Sequence, residues 1–241
     1  MDRNRWLIFA VICVGIVAGL VLLPGKNKID VSSRDVFKVD TTSEIKDHVY
    51  GKADSTIMIY EFADYQCPGC TAAYPQIKAI SDQYKDSVGF VYRNFPLTSG
   101  HAHAFAAAAT AEAAGLQGKF WEMHNELYST RDTWAGMTAD ERNKAFEGYA
   151  AQLGLNLDQF RSDLASEKVA NKVNTDRALG IKAGVDSTPT IFLNGTKLDK
   201  DTVNNVMKEN GDALRDKLDE LIKKAGGTPP ARTAATTTTA Q

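Results

Sequence analysis

Four short apolar runs stand out against a mixed polar background: Thr56 to Phe62, Val88 to Arg93, Thr190 to Leu193 and Thr196 to Leu198. Their length and their bordering turn residues predict β-strands. The last two flank Asn194-Gly195, a pair suited to a type I′ hairpin turn, so they should be antiparallel neighbours. Asn194-Gly195-Thr196 also matches a glycosylation acceptor pattern, but the turn is the reading that explains these residues. Between the first two runs, residues from about Pro68 to Lys85 read as a helix, which makes those strands a parallel crossover pair. The block from His101 to Lys182 has no strand run and is rich in alanine, leucine, glutamate and lysine. It predicts an all-helical insertion with Gly115, Gly118, Gly136 and Gly154 at helix boundaries. Asp201 to Lys224 reads as a closing helix broken at Asn210-Gly211.

The two ends follow different patterns. Trp6 to Leu23 is free of charge over 18 residues and stops at Pro24-Gly25, long enough to approach a bilayer span. An uncleaved anchor over 1–24 is expected, a signal peptide being the alternative, with Val17-Ala18-Gly19 as the small residues it would need. Arg3 and Arg5 precede the span while Lys26, Lys28, Arg34 and Lys38 follow it, so the basic residues alone do not orient it. Residues 25–46 suit a tether followed by an N-terminal extension, 47–225 the folded domain, and 226–241, with Pro229-Pro230 and Thr236 to Thr239, a disordered tail.

At 241 residues and 43% apolar composition the chain can bury one good core. A net charge of -2 without a basic block argues against a nucleic-acid partner. Of the three cysteines, Cys13 lies in the apolar N-terminal run and reads as a packing residue, while Cys67 and Cys70 form Cys67-Pro68-Gly69-Cys70 where the first strand gives way to the helix. A disulfide between them closes almost no loop and so contributes little to stability, which makes redox chemistry the better explanation. Unsatisfied N–H groups and the dipole at the helix N-terminus favour an anion, so Cys67 should be the more acidic thiol. A fall from ~8.5 to ~5.5 would stabilise the reduced form by about 2 kcal/mol at pH 7, or roughly 45 mV for a two-electron couple.

Taken in order, Glu61-Phe62-Ala63-Asp64-Tyr65-Gln66-Cys67-Pro68-Gly69-Cys70, Tyr92-Arg93-Asn94-Phe95-Pro96-Leu97, Gly118-Lys119-Phe120-Trp121-Glu122-Met123-His124 and Val185-Asp186-Ser187-Thr188-Pro189-Thr190 resemble the DsbA-like thiol-disulfide oxidoreductases, especially their anchored single-domain relatives, over roughly Glu44 to Ala225. The resemblance implies an α/β thioredoxin fold with a helical insertion between the second strand and a cis-proline hairpin. It implies Cys67 as the sulfur exchanged with substrate, Cys70 as the resolving thiol, Pro189 as the cis proline facing them, and Thr188, Pro68 and Gly69 as substrate-side residues. Gly69 departs from the histidine of the best-known DsbA proteins, which points to an oxidant of intermediate strength. Glu61 stands where relatives keep a buried acid beneath the resolving cysteine and would relay its proton, Asp64 competing for that role. Either carboxylate has a plainer reading as a partly solvated strand-end charge.

Zinc held by Cys67, Cys70 and two of His101, His103 and His124 is disfavoured, since there is no second cysteine pair and the histidines belong to helices spanning the insertion, and no cofactor is expected. Phe120, Trp121, Met123 and Leu127 sit at helical spacing and read as core, and Pro75 as a kink. The expected function is disulfide introduction into exported proteins with cysteine pairs, from an extracytoplasmic domain on a single-pass membrane anchor. A thiol pair built to stay oxidised belongs where glutathione does not reduce it. By family analogy a membrane quinone-linked protein of the DsbB or VKOR type would reoxidise it. A reductase or isomerase of the same compartment and a redox-inert binding module are the alternatives.

Overall fold

The run of buried residues Met58–Ala63 forms the central strand β2 in a computed structural model that describes residues 29–232. It pairs in parallel with β3 (Gly89–Asn94), Glu61 standing opposite Tyr92, and antiparallel with β4 (Thr190–Leu193), Glu61 standing opposite Ile191. The sheet is completed by β1 (Val49–Gly51) on the β3 edge and β5 (Thr196–Lys197) beyond β4, in the order β1-β3-β2-β4-β5. The β4–β5 turn is the expected one, with Asn194 at φ 48° and Gly195 at φ 78°. β1 was not among the expected strands. It has three residues, and only its antiparallel pairing with Val91, Phe90 and Gly89 defines it.

Helix α1 (Pro68–Tyr84) connects β2 to β3 and accommodates Pro75 without interruption. The expected helical insertion follows as α2 (Ala104–Gly115), α3 (Phe120–Ser129), the short α4 (Arg131–Trp134), α5 (Ala139–Gln152), α6 (Leu157–Leu164) and α7 (Glu167–Lys182). Its boundaries have local causes. Thr138 and Glu141 make a reciprocal capping box on α5, Asn156 and Ser166 cap α6 and α7, and Gly154 between α5 and α6 adopts φ 73°. The chain closes with α8 (Lys200–Lys208) and α9 (Asp212–Lys224), separated at Asn210-Gly211 as expected.

Alternation along β2 divides the core. Ile59 and Ala63 face the cluster that includes Cys70, Ala73 and Ile77 of α1, together with Phe90 and Tyr92 from β3 and Ile191 from β4. Phe120, Met123 and Leu127 are buried in that cluster and Trp121 is partly buried against it, so all four are core. Tyr60 and Phe62 make ring contacts with Phe37, Phe95 and Phe192. On that second side α7 comes so close that a Cβ on Gly180 would lie 2.5 Å from the Phe95 ring.

Residues 31–46, read from sequence as tether and extension, contribute buried Val31, Val36 and Ile45, and the carbonyl of Phe37 accepts from the Tyr60 hydroxyl at 2.7 Å. The expected disordered tail is described as far as Arg232, which pairs with Asp216 and Asp219. The expected anchor Trp6 to Leu23, with Cys13, lies outside the described residues. No helix among those described is long and apolar enough to cross a membrane.

A buried ionic network ties the segment just before β1 to β3, α2 and α7. Arg93 donates to Asp47 at 2.7 Å, and Lys172 bridges Asp47 and Asp176 at 2.8 and 2.7 Å. Asn94 donates to Asp176 and to Glu112, which contacts His48. Removing one partner leaves a buried charge uncompensated, which costs about 3–5 kcal/mol. Lys172→Met should therefore lower stability by about 3 kcal/mol or more in urea unfolding at unchanged slope. A change below about 1 kcal/mol would contradict the network's role.

Candidate active site

At the carboxyl end of β2, the loop Asp64-Tyr65-Gln66 delivers Cys67 to the N-cap position of α1 in an extended conformation, φ -68° and ψ 124°. Pro68 occupies the first helical position, where its missing N–H costs nothing, and no acidic residue lies in the first turn. Both cysteines are free thiols here. Cys67 retains 8% exposure and Cys70 only 1%. The Thr188-Pro189 peptide is cis, as expected, and the Thr188 carbonyl lies 3.5 Å from the Cys67 sulfur. A Cβ on Gly69 would lie 3.4 Å from Pro189 Cδ and 3.8 Å from Cys67 Sγ, so Gly69 faces both groups. Cys67, Gly69, Thr188 and Pro189 thus share one site, with Pro68 exposed beside them.

The two thiols are driven apart electrostatically. Cys67 is lowered to about 5, chiefly by the hydrogen bond from the Cys70 thiol, which outweighs its own burial; the N–H groups of Cys70 and Gly69 add to the effect. Cys70 is pushed well up, by burial first and then by the proton it shares with Cys67. The helix N-terminus does contribute, as the sequence suggests, but the larger influence is the second cysteine.

Glu61 is buried, and burial raises its carboxyl to about 8, so at neutral pH it holds a proton. When ionised it raises Cys70 further, so the carboxyl lies within electrostatic reach of that thiol. The partly solvated reading fails for Asp64 as well, because that carboxylate is buried and already engaged: it accepts from the Gln66 N–H at 2.7 Å and the Leu97 N–H at 2.9 Å, and contacts His101 Nδ1 at 2.7 Å. Asp64 shapes the loop.

The histidines do not converge on the dithiol. His101 pairs with Asp64, and His103 lies against the Met137 carbonyl at 2.7 Å. His124 is buried among Tyr65, Tyr92, Trp121 and Tyr128; burial lowers it to about 3, and it contacts the Tyr65 hydroxyl at 3.1 Å. Among the described residues no cluster of three or more His, Cys, Asp or Glu could hold a metal ion. Sequence reasoning passed over Gln66 and Arg131, although Arg131 donates twice to the Gln66 carbonyl beside Cys67. Adjacency to Cys67 was the one available signal for Gln66, and Arg131 had none.

The sequence model of the thioredoxin family matches residues 43–209, and the chain belongs to that family. Its fold is also that of DsbA-like thiol-disulfide oxidoreductases. It covers 92% of a thioredoxin-like oxidoreductase from Silicibacter pomeroyi with 73% of its own length, at 26% identity and a TM-score of 0.58. It covers 93% of the thiol-disulfide exchange protein alpha-DsbA2 from Wolbachia pipientis with 79% of its own length, at 22% identity and a TM-score of 0.62. For BdbD from Bacillus subtilis the figures are 92%, 73%, 22% and 0.61. Among curated proteins, 63% of the chain is 36% identical to a Na(+)/H(+) antiporter NhaA 1 from Mycolicibacterium vanbaalenii, of which it spans 24%. A Na(+)/H(+) antiporter NhaA 3 from Salinispora tropica is 38% identical over 63% of the chain and 22% of its own length. The chain thus spans about a quarter of these curated relatives, and ion transport is a property of the longer proteins' names.

The buried acid carries a stability prediction with a definite sign. Glu61 is protonated in the folded protein up to about pH 8 but ionises near 4.5 once unfolded, so its contribution is full below 4.5 and is lost as pH rises toward 8. Glu61→Gln removes that loss. It should stabilise the protein by on the order of 2 kcal/mol at pH 7 with little change at pH 4, while slowing opening of the Cys67–Cys70 disulfide by a small thiol, the step in which Cys70 takes up a proton, tenfold or more. Equal effects on unfolding at both pH values, with disulfide opening unchanged, would contradict the assignment.

Proposed function

We propose that the domain is a thiol-disulfide oxidoreductase working as an oxidant of exported proteins that carry cysteine pairs. The single observation that carries this reading is the opposed character of the two thiols beside a cis proline: Cys67 ionises readily and Cys70 does not. A couple whose reduced form is held as thiolate and thiol accepts electrons readily.

The reaction follows from this asymmetry. A client thiolate attacks Cys67 Sγ of the oxidised pair, forming a client–Cys67 disulfide and breaking the Cys67–Cys70 bond. Cys70 leaves as a thiolate in a buried site and takes a proton, for which Glu61, protonated below about pH 8, is the adjacent source. The client's second thiol loses its proton to solvent and attacks the client sulfur, and Cys67 departs as a thiolate. Two electrons have passed to the enzyme, and the client has gained a disulfide. Thr188, Pro68 and Gly69 border the exchanged sulfur and would meet the client chain.

Return of the reduced pair to the disulfide needs an acceptor of two electrons. A membrane quinone-linked protein of the DsbB or VKOR type has the required chemistry, and a single-pass anchor through Trp6 to Leu23 would hold the domain near it on the extracytoplasmic face. The alternative is a reductase or isomerase of the same compartment. Gly69 favours it, because it offers the thiolate no side chain where a stronger oxidant of this type carries a histidine.

Equilibration of the Cys67/Cys70 couple with glutathione decides the direction. The oxidant reading expects a potential well above thioredoxin's about -270 mV, between roughly -200 and -120 mV. A value at or below thioredoxin's would overturn it in favour of the reductase.

A further inference from the structure

Every hydrogen-bonding group of Gln66, the residue before Cys67, is engaged. Its N–H donates to Asp64 Oδ1 at 2.7 Å, its Nε2 donates to the Ala135 carbonyl at 3.1 Å, and its Oε1 accepts from the His103 N–H at 2.7 Å. Its carbonyl accepts from both Nε and Nη2 of Arg131, at 3.0 and 2.8 Å. Three of these four partners, His103, Arg131 and Ala135, belong to the helical insertion. The insertion therefore grips the dithiol loop at the position immediately preceding the exchanged sulfur.

Charge is distributed unequally around this residue. The buried Asp64 carboxylate sits on its N–H side, and an anion there disfavours a thiolate at Cys67. The Arg131 guanidinium sits on its carbonyl side and offsets that field. Arg131 commits two donors to one neutral carbonyl, and its remaining contact, Nη1 to Asp132 at 2.8 Å, is with a side chain 88% exposed that solvent screens. His101 is taken by Asp64, and Arg142 contacts His103, so Arg131 is the cation fixed to the peptide beside Cys67.

We infer that Arg131 is a positioning residue for the redox couple, fixing the Gln66 backbone that presents Cys67 and setting the potential through its charge. The inference rests on the thiol-disulfide reading and deepens it. Reduction of the disulfide takes up two electrons and one proton, leaving a thiol at Cys70 and one new negative charge at Cys67. A fixed cation close by stabilises the reduced form selectively, whereas a purely structural contact stabilises both forms alike and leaves their ratio unchanged.

The test compares Arg131→Gln and Arg131→Lys with the wild-type protein by equilibration against glutathione at pH 7, with urea unfolding of oxidised and reduced forms alongside. Glutamine keeps a donor for the Gln66 carbonyl and loses the charge, so the equilibrium constant for oxidising glutathione should fall about fivefold, with the reduced form losing more stability than the oxidised. Lysine keeps the charge and should remain within about twofold of wild type. A glutamine variant within twofold of wild type, or a lysine variant that falls as far as glutamine, overturns the inference. A wild-type potential at or below thioredoxin's would sink the oxidant direction alone, because the ratio between variants does not depend on it. A wild-type couple that does not exchange with glutathione would sink both.

Discussion

One shared proton decides which of the two cysteines carries charge. The Cys70 thiol donates to the Cys67 sulfur, and this contact lowers Cys67 to about 5 while burial and the same contact hold Cys70 well above an ordinary thiol. The arrangement needs Cys67 at the open end of α1 and Cys70 one turn inside it, nearly excluded from solvent. It also needs surroundings that keep water away from the second sulfur, so that its proton goes to the neighbouring sulfur instead of to solvent.

The sheet supplies those surroundings. Parallel pairing of β2 with β3 sets Glu61 beside Tyr92, and antiparallel pairing with β4 sets it beside Ile191, so the acid is enclosed on both sides and its carboxyl rises to about 8. The same β4 begins directly after the cis Thr188-Pro189 peptide, which places Pro189 against Gly69 and the Thr188 carbonyl against Cys67. The strand register therefore fixes both the buried acid and the wall that Thr188 and Pro189 form beside Cys67. The helical insertion adds the third constraint by engaging Gln66 through His103, Arg131 and Ala135.

Much of this was legible in the residues because it is local. β2 and β3 are contiguous apolar runs, the β4–β5 hairpin is announced by Asn194-Gly195, and Cys67 to Cys70 spans one helical turn. What escaped depends on distant pairing. β1 is three residues whose strand character comes from β3, and the ionic network joins Lys172 to Asp47 across 125 positions. Asp64 illustrates the same limit. Its residue type suggested a solvated charge or a relay, and only the fold brings the Leu97 N–H and His101 to it. Arg131 lies 65 positions from the carbonyl it holds, in a four-residue helix with no motif of its own.

Titration of the reduced protein by thiolate absorbance tests the asymmetry of the two sulfurs most directly. The structure predicts a single transition near pH 5, with the thiolate lost as pH falls through it and no second thiolate appearing below about pH 9. A first transition near 8 to 9, or two thiolates appearing together, would mean that the shared proton does not separate the sulfurs and would contradict the account.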